Sequence, residues 1–218
     1  MRVLLIDNYD SFTHNVVHLA RETGVAEVDV RRNTALDLDA LGDYAAVIAS
    51  PGPGLPSESG QLLPAVRACL ARDKPYLGIC LGHQALAEAV GGRLRRLDRV
   101  RHGVEIPCYA RGADPLLMGL SRVSDWRDGG FTVGSYHSWV VDEAELPPEL
   151  EVLADSPEDS SGDRSAADRQ PTVIQAMRVR GARAYGLQFH PESIMTAAAG
   201  PLLLRNFFRL AQVSPAHA

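Results

Sequence analysis

Apolar positions along this chain follow two alternating patterns. Short, nearly unbroken apolar runs at 3–6, 45–49, 76–79 and 184–189 have the length and composition of strands covered on both faces. Between them lie segments whose apolar residues recur three and four apart. The segment 12–22 places Val16, Val17, Leu19 and Ala20 on one side and is closed by Gly24; the segment 81–90 does the same with Leu81, Ala85, Leu86, Ala89 and Val90. Further helices are predicted over 61–71 and 200–211, and a weaker strand over 27–31. The alternation predicts an α/β fold, a mostly parallel open sheet flanked by helices. Ligands of such sheets bind beyond the carboxyl ends of the strands. Residues 7–10, Gly52, Cys80 and His190 lie just past those ends and are expected to converge.

From 93 to 179 the pattern changes to shorter runs at 103–109, 131–136, 150–154 and 172–179, separated by turn residues. These predict a small antiparallel extension of the sheet. The stretch 156–170, SPEDSSGDRSAADRQ, has no large apolar side chain and is expected to be a mobile surface loop inserted between two strands. A single domain is expected over 1–212, with 213–218 as a tail.

Composition narrows the function. The chain has 218 residues, a size that suits one α/β domain, and a net charge of -5, which argues against a nucleic-acid surface. No apolar run approaches the ~20 residues of a membrane span. Three widely spaced cysteines suit a reducing compartment, and a cytoplasmic location is expected.

Chemistry concentrates in three places. Gly78-Ile79-Cys80-Leu81-Gly82 sets one cysteine between two glycines where a strand gives way to a helix, a nucleophile elbow. The helix N-terminus favours thiolate, and the sulfur is expected to face solvent. His190-Pro191-Glu192 offers a base and an orienting carboxylate, with Pro191 biasing His190 toward an extended backbone that puts both side chains on one side. Cys80, His190 and Glu192 thus form a candidate catalytic triad. Ser50-Pro51-Gly52-Pro53-Gly54 supplies glycines that let a backbone N–H approach a substrate oxygen. Rival readings exist for each residue type. Cys69 and Cys108 read as core cysteines. His83 is nearer Cys80 in sequence than His190 but has no carboxylate at fixed spacing. His14 and His18 have a metal-compatible i, i+4 spacing without a third ligand, and no metal site is expected.

These residues carry a family resemblance. The chain resembles the class I (triad) glutamine amidotransferases, and within them the small subunits of anthranilate synthase and aminodeoxychorismate synthase. The likeness rests on Asp7-Asn8-Tyr9-Asp10-Ser11-Phe12-Thr13, on the 50–54 segment, on Gly78-Ile79-Cys80-Leu81-Gly82-His83-Gln84, on Tyr136-His137-Ser138 and on Gln188-Phe189-His190-Pro191-Glu192-Ser193, in the family's order. It implies a class I amidotransferase, flavodoxin-like fold and glutamine hydrolysis through Cys80, His190 and Glu192. It further implies oxyanion N–H groups at Gly52 and Leu81, and glutamine binding by Gly52, Pro53, Gly54, Gln84 and the backbone of Ser138 and Trp139. It also implies a separate, larger chorismate-binding synthase subunit that receives the ammonia and carries Mg²⁺, this chain needing no cofactor. The 7–13 segment and the Trp139 region are expected to help form or sense that interface. The chain departs from the family where leucine is usual at Trp139, arginine at Ser135 and a Lys-Thr-Ser-like stretch at Val104-Glu105-Ile106.

Anthranilate synthase and aminodeoxychorismate synthase stay open as the partner system, as does one subunit serving both. A stand-alone cysteine hydrolase of γ-glutamyl compounds or peptides is a second class of reading. A non-catalytic relative is a third, opposed by the intact triad.

Overall fold

The computed structural model describes residues 1–24, 27–123, 130–158, 172–196 and 198–213. Its strands are β1 (Arg2–Asp7), β2 (Glu27–Arg32), β3 (Ala46–Ala49), β4 (Tyr76–Ile79), β5 (Leu94–Ala110), β6 (Phe131–Val141), β7 (Leu150–Pro157), β8 (Thr172–Val179) and β9 (Ala184–Leu187). They form one sheet in the order β2-β1-β3-β4-β9-β8-β7-β5-β6. The first five in that order run parallel, with Val3 opposite Ala46, Val47 opposite Tyr76 and Tyr76 opposite Ala184. The remaining pairings are antiparallel.

Strand periodicity explains how the sheet is covered. In β1, Val3 and Leu5 join one core with Ala46, Ile48, Leu77 and Ile79, while Leu4 and Ile6 join the other with Val47, Ala49 and Tyr76. The helices α1 (Thr13–Glu22) and α4 (Gly200–Gln212) bury Val16, Val17, Leu203 and Phe207 in the first core. The helices α2 (Leu62–Ala71) and α3 (Leu81–Ala89) bury Leu62, Val66, Leu81 and Leu86 in the second. Each fully buried large aliphatic chain contributes about 1.5–3 kcal/mol, and both faces of the central strands are closed this way.

The antiparallel part is larger than its short apolar runs suggest. β5 begins at Leu94, well before the expected 103: it pairs with β7 at Tyr109 and Ala110 and with β6 from Leu94 to Cys108, as a ribbon. Its exposed stretch therefore accommodates Asp98, Arg99 and Val100 and carries no apolar period. Two departures from the family pattern, Val104 and Ser135, are cross-strand partners in this ribbon. β7 runs through Ser156 and Pro157, so the connection expected at 156 starts later. From 159 to 170 it lies outside the described residues, as does the tail from 214.

The β4–α3 junction brings backbone directly against backbone. A Cβ on Gly78 would sit 2.2 Å from the Gly82 carbonyl oxygen, and one on Gly82 would sit 2.7 Å from the Ala49 carbonyl oxygen. Both neighbours are backbone and cannot swing away. Gly78→Ala is therefore expected to destabilise by about 3 kcal/mol, lowering Tm by roughly 6–12 °C. Gly112→Ala, where nothing lies within 4 Å, is expected to change it by less than about 0.5 kcal/mol. Thermal unfolding of the two variants checks this.

Candidate active site

Cys80 is the N-cap of α3 and holds φ 50°, ψ -99°. A non-glycine residue there costs on the order of 1–3 kcal/mol, and the surroundings fix it. Its N–H donates to the Leu187 carbonyl at 2.7 Å and its own carbonyl accepts from the Gln84 N–H at 3.0 Å. Cys80 is 8% exposed, so the sulfur does not project into open solvent as the elbow pattern predicts. Strand β6 stands over it. The sulfur instead opens on a cavity of about 250 Å³.

That cavity gathers the residues expected to bind substrate. Gly52, Pro53 and Gly54 form one wall, Cys80 and Gln84 the floor, and Tyr136, His137, Ser138 and Trp139 of β6 the other wall. Leu81 lies behind the first wall, buried, with its side chain where a Cβ on Gly52 would clash at 2.6 Å. As the first residue of α3, Leu81 carries one of the N–H groups for which a helix has no internal partner. The 52–54 loop is buttressed by Asn8. The Asn8 N–H donates to Ser50 Oγ at 3.0 Å, its Nδ2 donates to the Ser50 carbonyl at 2.7 Å, and its Oδ1 accepts from Asn33 Nδ2 at 3.0 Å.

His190 and Glu192 meet as the sequence predicts, but through a turn and not an extended segment. β9 ends at Leu187, and the Ser193 N–H bonds back to the His190 carbonyl at 3.1 Å with Pro191 in the second position. The turn sets His190 Nδ1 2.7 Å from Glu192 Oε1, with the carboxylate side chain fully enclosed. Nε2 is left without a full hydrogen bond and faces Cys80 closely enough for the sulfur to act on its charge. Burial pushes the imidazole toward its neutral form. Hydrogen bonding and charge from Cys80 and Glu192 outweigh burial and raise it to about 10. Phe12, at 5.6 Å between centroids, and Tyr136, at 4.8 Å, pack against each other and together against one flank of the ring.

The rival residues sit elsewhere. His83 is fully buried against the Gly186 backbone, and burial lowers it to about 4, so it is neutral and turned toward β9. Burial pushes the Cys69 thiol up to about 12 and holds Cys108 well above the ordinary thiol range. His14 and His18 are exposed, and among the described residues no group of three or more His, Cys, Asp or Glu could hold a metal ion. No helix among the described residues is long and apolar enough to cross a membrane.

Sequence reasoning missed three contributors as site residues. Tyr136 and His137 line the cavity, and Gln188, fully buried, reaches both Gln84 and Cys80. All three stand inside stretches that carried the resemblance, yet only the fold shows which way they point. Asn8, among the residues expected to converge past the strand ends, does so by bracing the segment that leads into the 52–54 loop.

The model of the class-I glutamine amidotransferase family matches residues 4–211. The chain is 41% identical to aminodeoxychorismate synthase component 2 of Escherichia coli, over 94% of this chain and 98% of that one. It is 39% identical to anthranilate synthase component 2 of Pseudomonas putida, over 96% of this chain and 97% of that one. A glutamine amidotransferase structure from Thermotoga maritima shares the fold with TM-score 0.72 at 18% identity, covering 98% of this chain and 99% of that one. An α/β sheet with an elbow cysteine, a carboxylate-bound histidine and an end-to-end family match thus lead to one conclusion: the chain belongs to the class-I glutamine amidotransferases.

Proposed function

We propose that this chain is the glutaminase subunit of a two-chain, chorismate-aminating synthase in the cytoplasm, of the anthranilate synthase type. The observation that carries the reading is Cys80 opening on a small cavity, with a buried, carboxylate-bound His190 near enough to interact with its sulfur. Component 2 relatives at 39–41% identity along nearly the whole chain support the subunit role. The aminodeoxychorismate synthase system is the second reading, favoured by the 41% relative. The ammonia acceptor and its Mg²⁺ belong to the partner synthase, and the glutaminase steps below use this chain's residues alone.

The proton inventory sets the steps. With His190 raised to about 10, the imidazolium is the resting form at neutral pH. Cys80 sulfur attacks the side-chain carbonyl carbon of glutamine, and the N–H groups of Gly52 and Leu81 are the proposed donors to the oxyanion. His190 Nε2 gives its proton to the departing nitrogen, so ammonia leaves as the C–N bond breaks and a γ-glutamyl thioester remains. Acylation removes the sulfur's charge, one of the supports of the imidazolium, and the neutral ring can take a proton from water as it attacks the thioester. Glutamate then leaves and the resting pair returns. Gly52, Pro53, Gly54, Gln84, Ser138 and Trp139 are the proposed glutamine contacts. Phe12, packed on the His190 ring from the 7–13 segment, gives that segment a means of sensing the partner.

The deciding experiment supplies the complex with a synthase subunit, chorismate, and either glutamine or ammonia. Cys80→Ser is expected to lose glutamine-dependent product by at least about 10³-fold while ammonia-dependent product stays at the wild-type rate. Anthranilate or 4-amino-4-deoxychorismate as product names the partner system. Partner-independent turnover of γ-glutamyl compounds through Cys80, with no synthase bound, would overturn the subunit reading.

Glu192→Gln is expected to lower kcat for glutamine about 10²-fold or more with KM within about threefold, because the carboxylate orients the ring and does not face the cavity. Steady-state kinetics separate the two parameters. The His190 shift also fixes a sign for stability. Its folded value lies above the unfolded ~6.5, so its contribution is complete below that value and is lost as pH rises through about 10. Wild-type Tm is expected to fall between pH 7 and 10 more steeply than that of His190→Asn, as calorimetry across that range would record.

A further inference from the structure

Gln188 is the first residue after β9, is fully buried, and is anchored by its N–H to the Gln175 carbonyl at 2.9 Å. Its side chain lies between two other side chains of the site. Gln84 Nε2 is 3.3 Å from Gln188 Oε1, and Gln188 Nε2 is 3.6 Å from Cys80 Sγ. We infer that Gln188 is a positioning residue whose carboxamide N–H donates to the Cys80 sulfur, with the direction of that donation fixed through Gln84 by the main-chain carbonyl of Trp139.

The direction follows from one obligate acceptor. A main-chain carbonyl cannot donate, so Gln84 must turn its NH₂ toward the Trp139 oxygen, 2.8 Å away. That same nitrogen reaches Gln188, which must therefore present its oxygen to Gln84. Its NH₂ is left for the sulfur. The opposite orientation would set two NH₂ groups against each other and a carbonyl oxygen against the sulfur, where it would repel a thiolate.

A donor to a charged acceptor forms a stronger bond than a neutral pair and favours the charged form. Gln188 has no proton to exchange, so it acts through Cys80 and leaves proton transfer to His190. Among titratable groups, His190 with Glu192 behind it faces the sulfur from the turn after β9. Tyr136 and His137 line the same cavity from β6. The strand carrying Trp139 is thereby coupled to the nucleophile through two carboxamides.

The importance of this relay for turnover rests on the glutaminase reading, but the thiol can be tested without it. The full chain is alkylated with iodoacetamide across pH as wild type, Gln188→Leu and Gln188→Glu, with Cys80→Ser as the blank and thermal unfolding as the check on folding. Gln188→Leu is expected to react about ten-fold more slowly at pH 7, with its rate profile displaced to higher pH. Gln188→Glu, nearly the same size, removes the donor and sets a carboxylate beside the sulfur, and is expected to be slower still. Profiles that superimpose on wild type would overturn the relay, and if the leucine variant does not fold, the glutamate variant decides. Slowed alkylation in the variants of a chain that hydrolyses no glutamine with any partner keeps the relay and removes the functional reading. Unchanged alkylation beside an active wild-type complex does the reverse.

Discussion

Backbone pressed on backbone at the β4–α3 junction is the constraint from which the site follows. With hydrogen in place of a side chain at Gly78 and Gly82, the first turn of α3 can lie directly on the ends of β4 and β3. That proximity puts Cys80 at the helix N-cap and brings Leu81 against Gly52. The 52–54 loop is then trapped between α3 and Asn8, whose two bonds to Ser50 make it part of the same block. Methyl groups at the junction would push these layers apart by about 1 Å, enough to stretch a hydrogen bond between them past its ordinary ~3.2 Å limit.

The two halves of the sheet make different contributions. The parallel half provides the nucleophile and the proposed oxyanion donors at strand ends, as open α/β sheets do. The antiparallel half provides the wall that encloses the sulfur, through β6. His190 follows β9, where the halves join, and its N–H donates to the Gly134 carbonyl of β6 at 3.2 Å. His190 is buried, with Phe12 and Tyr136 packed together on one flank of the ring, so water is largely removed from it. In that setting the charges of Cys80 and Glu192 act at higher strength than they would in water, which is why they outweigh burial.

Legibility in the sequence tracked how local each cause was. The buried strands at 3–6 and 76–79 and the helix after Cys80 were readable because burial on both faces leaves unbroken apolar runs, and elbow glycines mark the turn. His190 and Glu192 were readable as partners from two residues of separation, although their route to each other, a turn, was not. The length of β5 was hidden by its exposed ribbon, whose Asp98, Arg99 and Val100 answer to solvent and show no period. The burial of Cys80 and the contacts of Gln188 were hidden for another reason. Both depend on strand β6 or helix α3 meeting β9, residues about 50 to 110 positions apart, and no local pattern encodes which long-range neighbours arrive.

The backbone of Cys80 has a longer consequence. Its left-handed φ is one that glycine adopts freely, so at this position the fold by itself would be better served by a residue with no sulfur. Stability and chemistry therefore select for different residues at position 80. A lineage freed from the need for ammonia would gain stability by drifting toward glycine there, and would leave behind a folded, silent relative with the rest of the pocket in place.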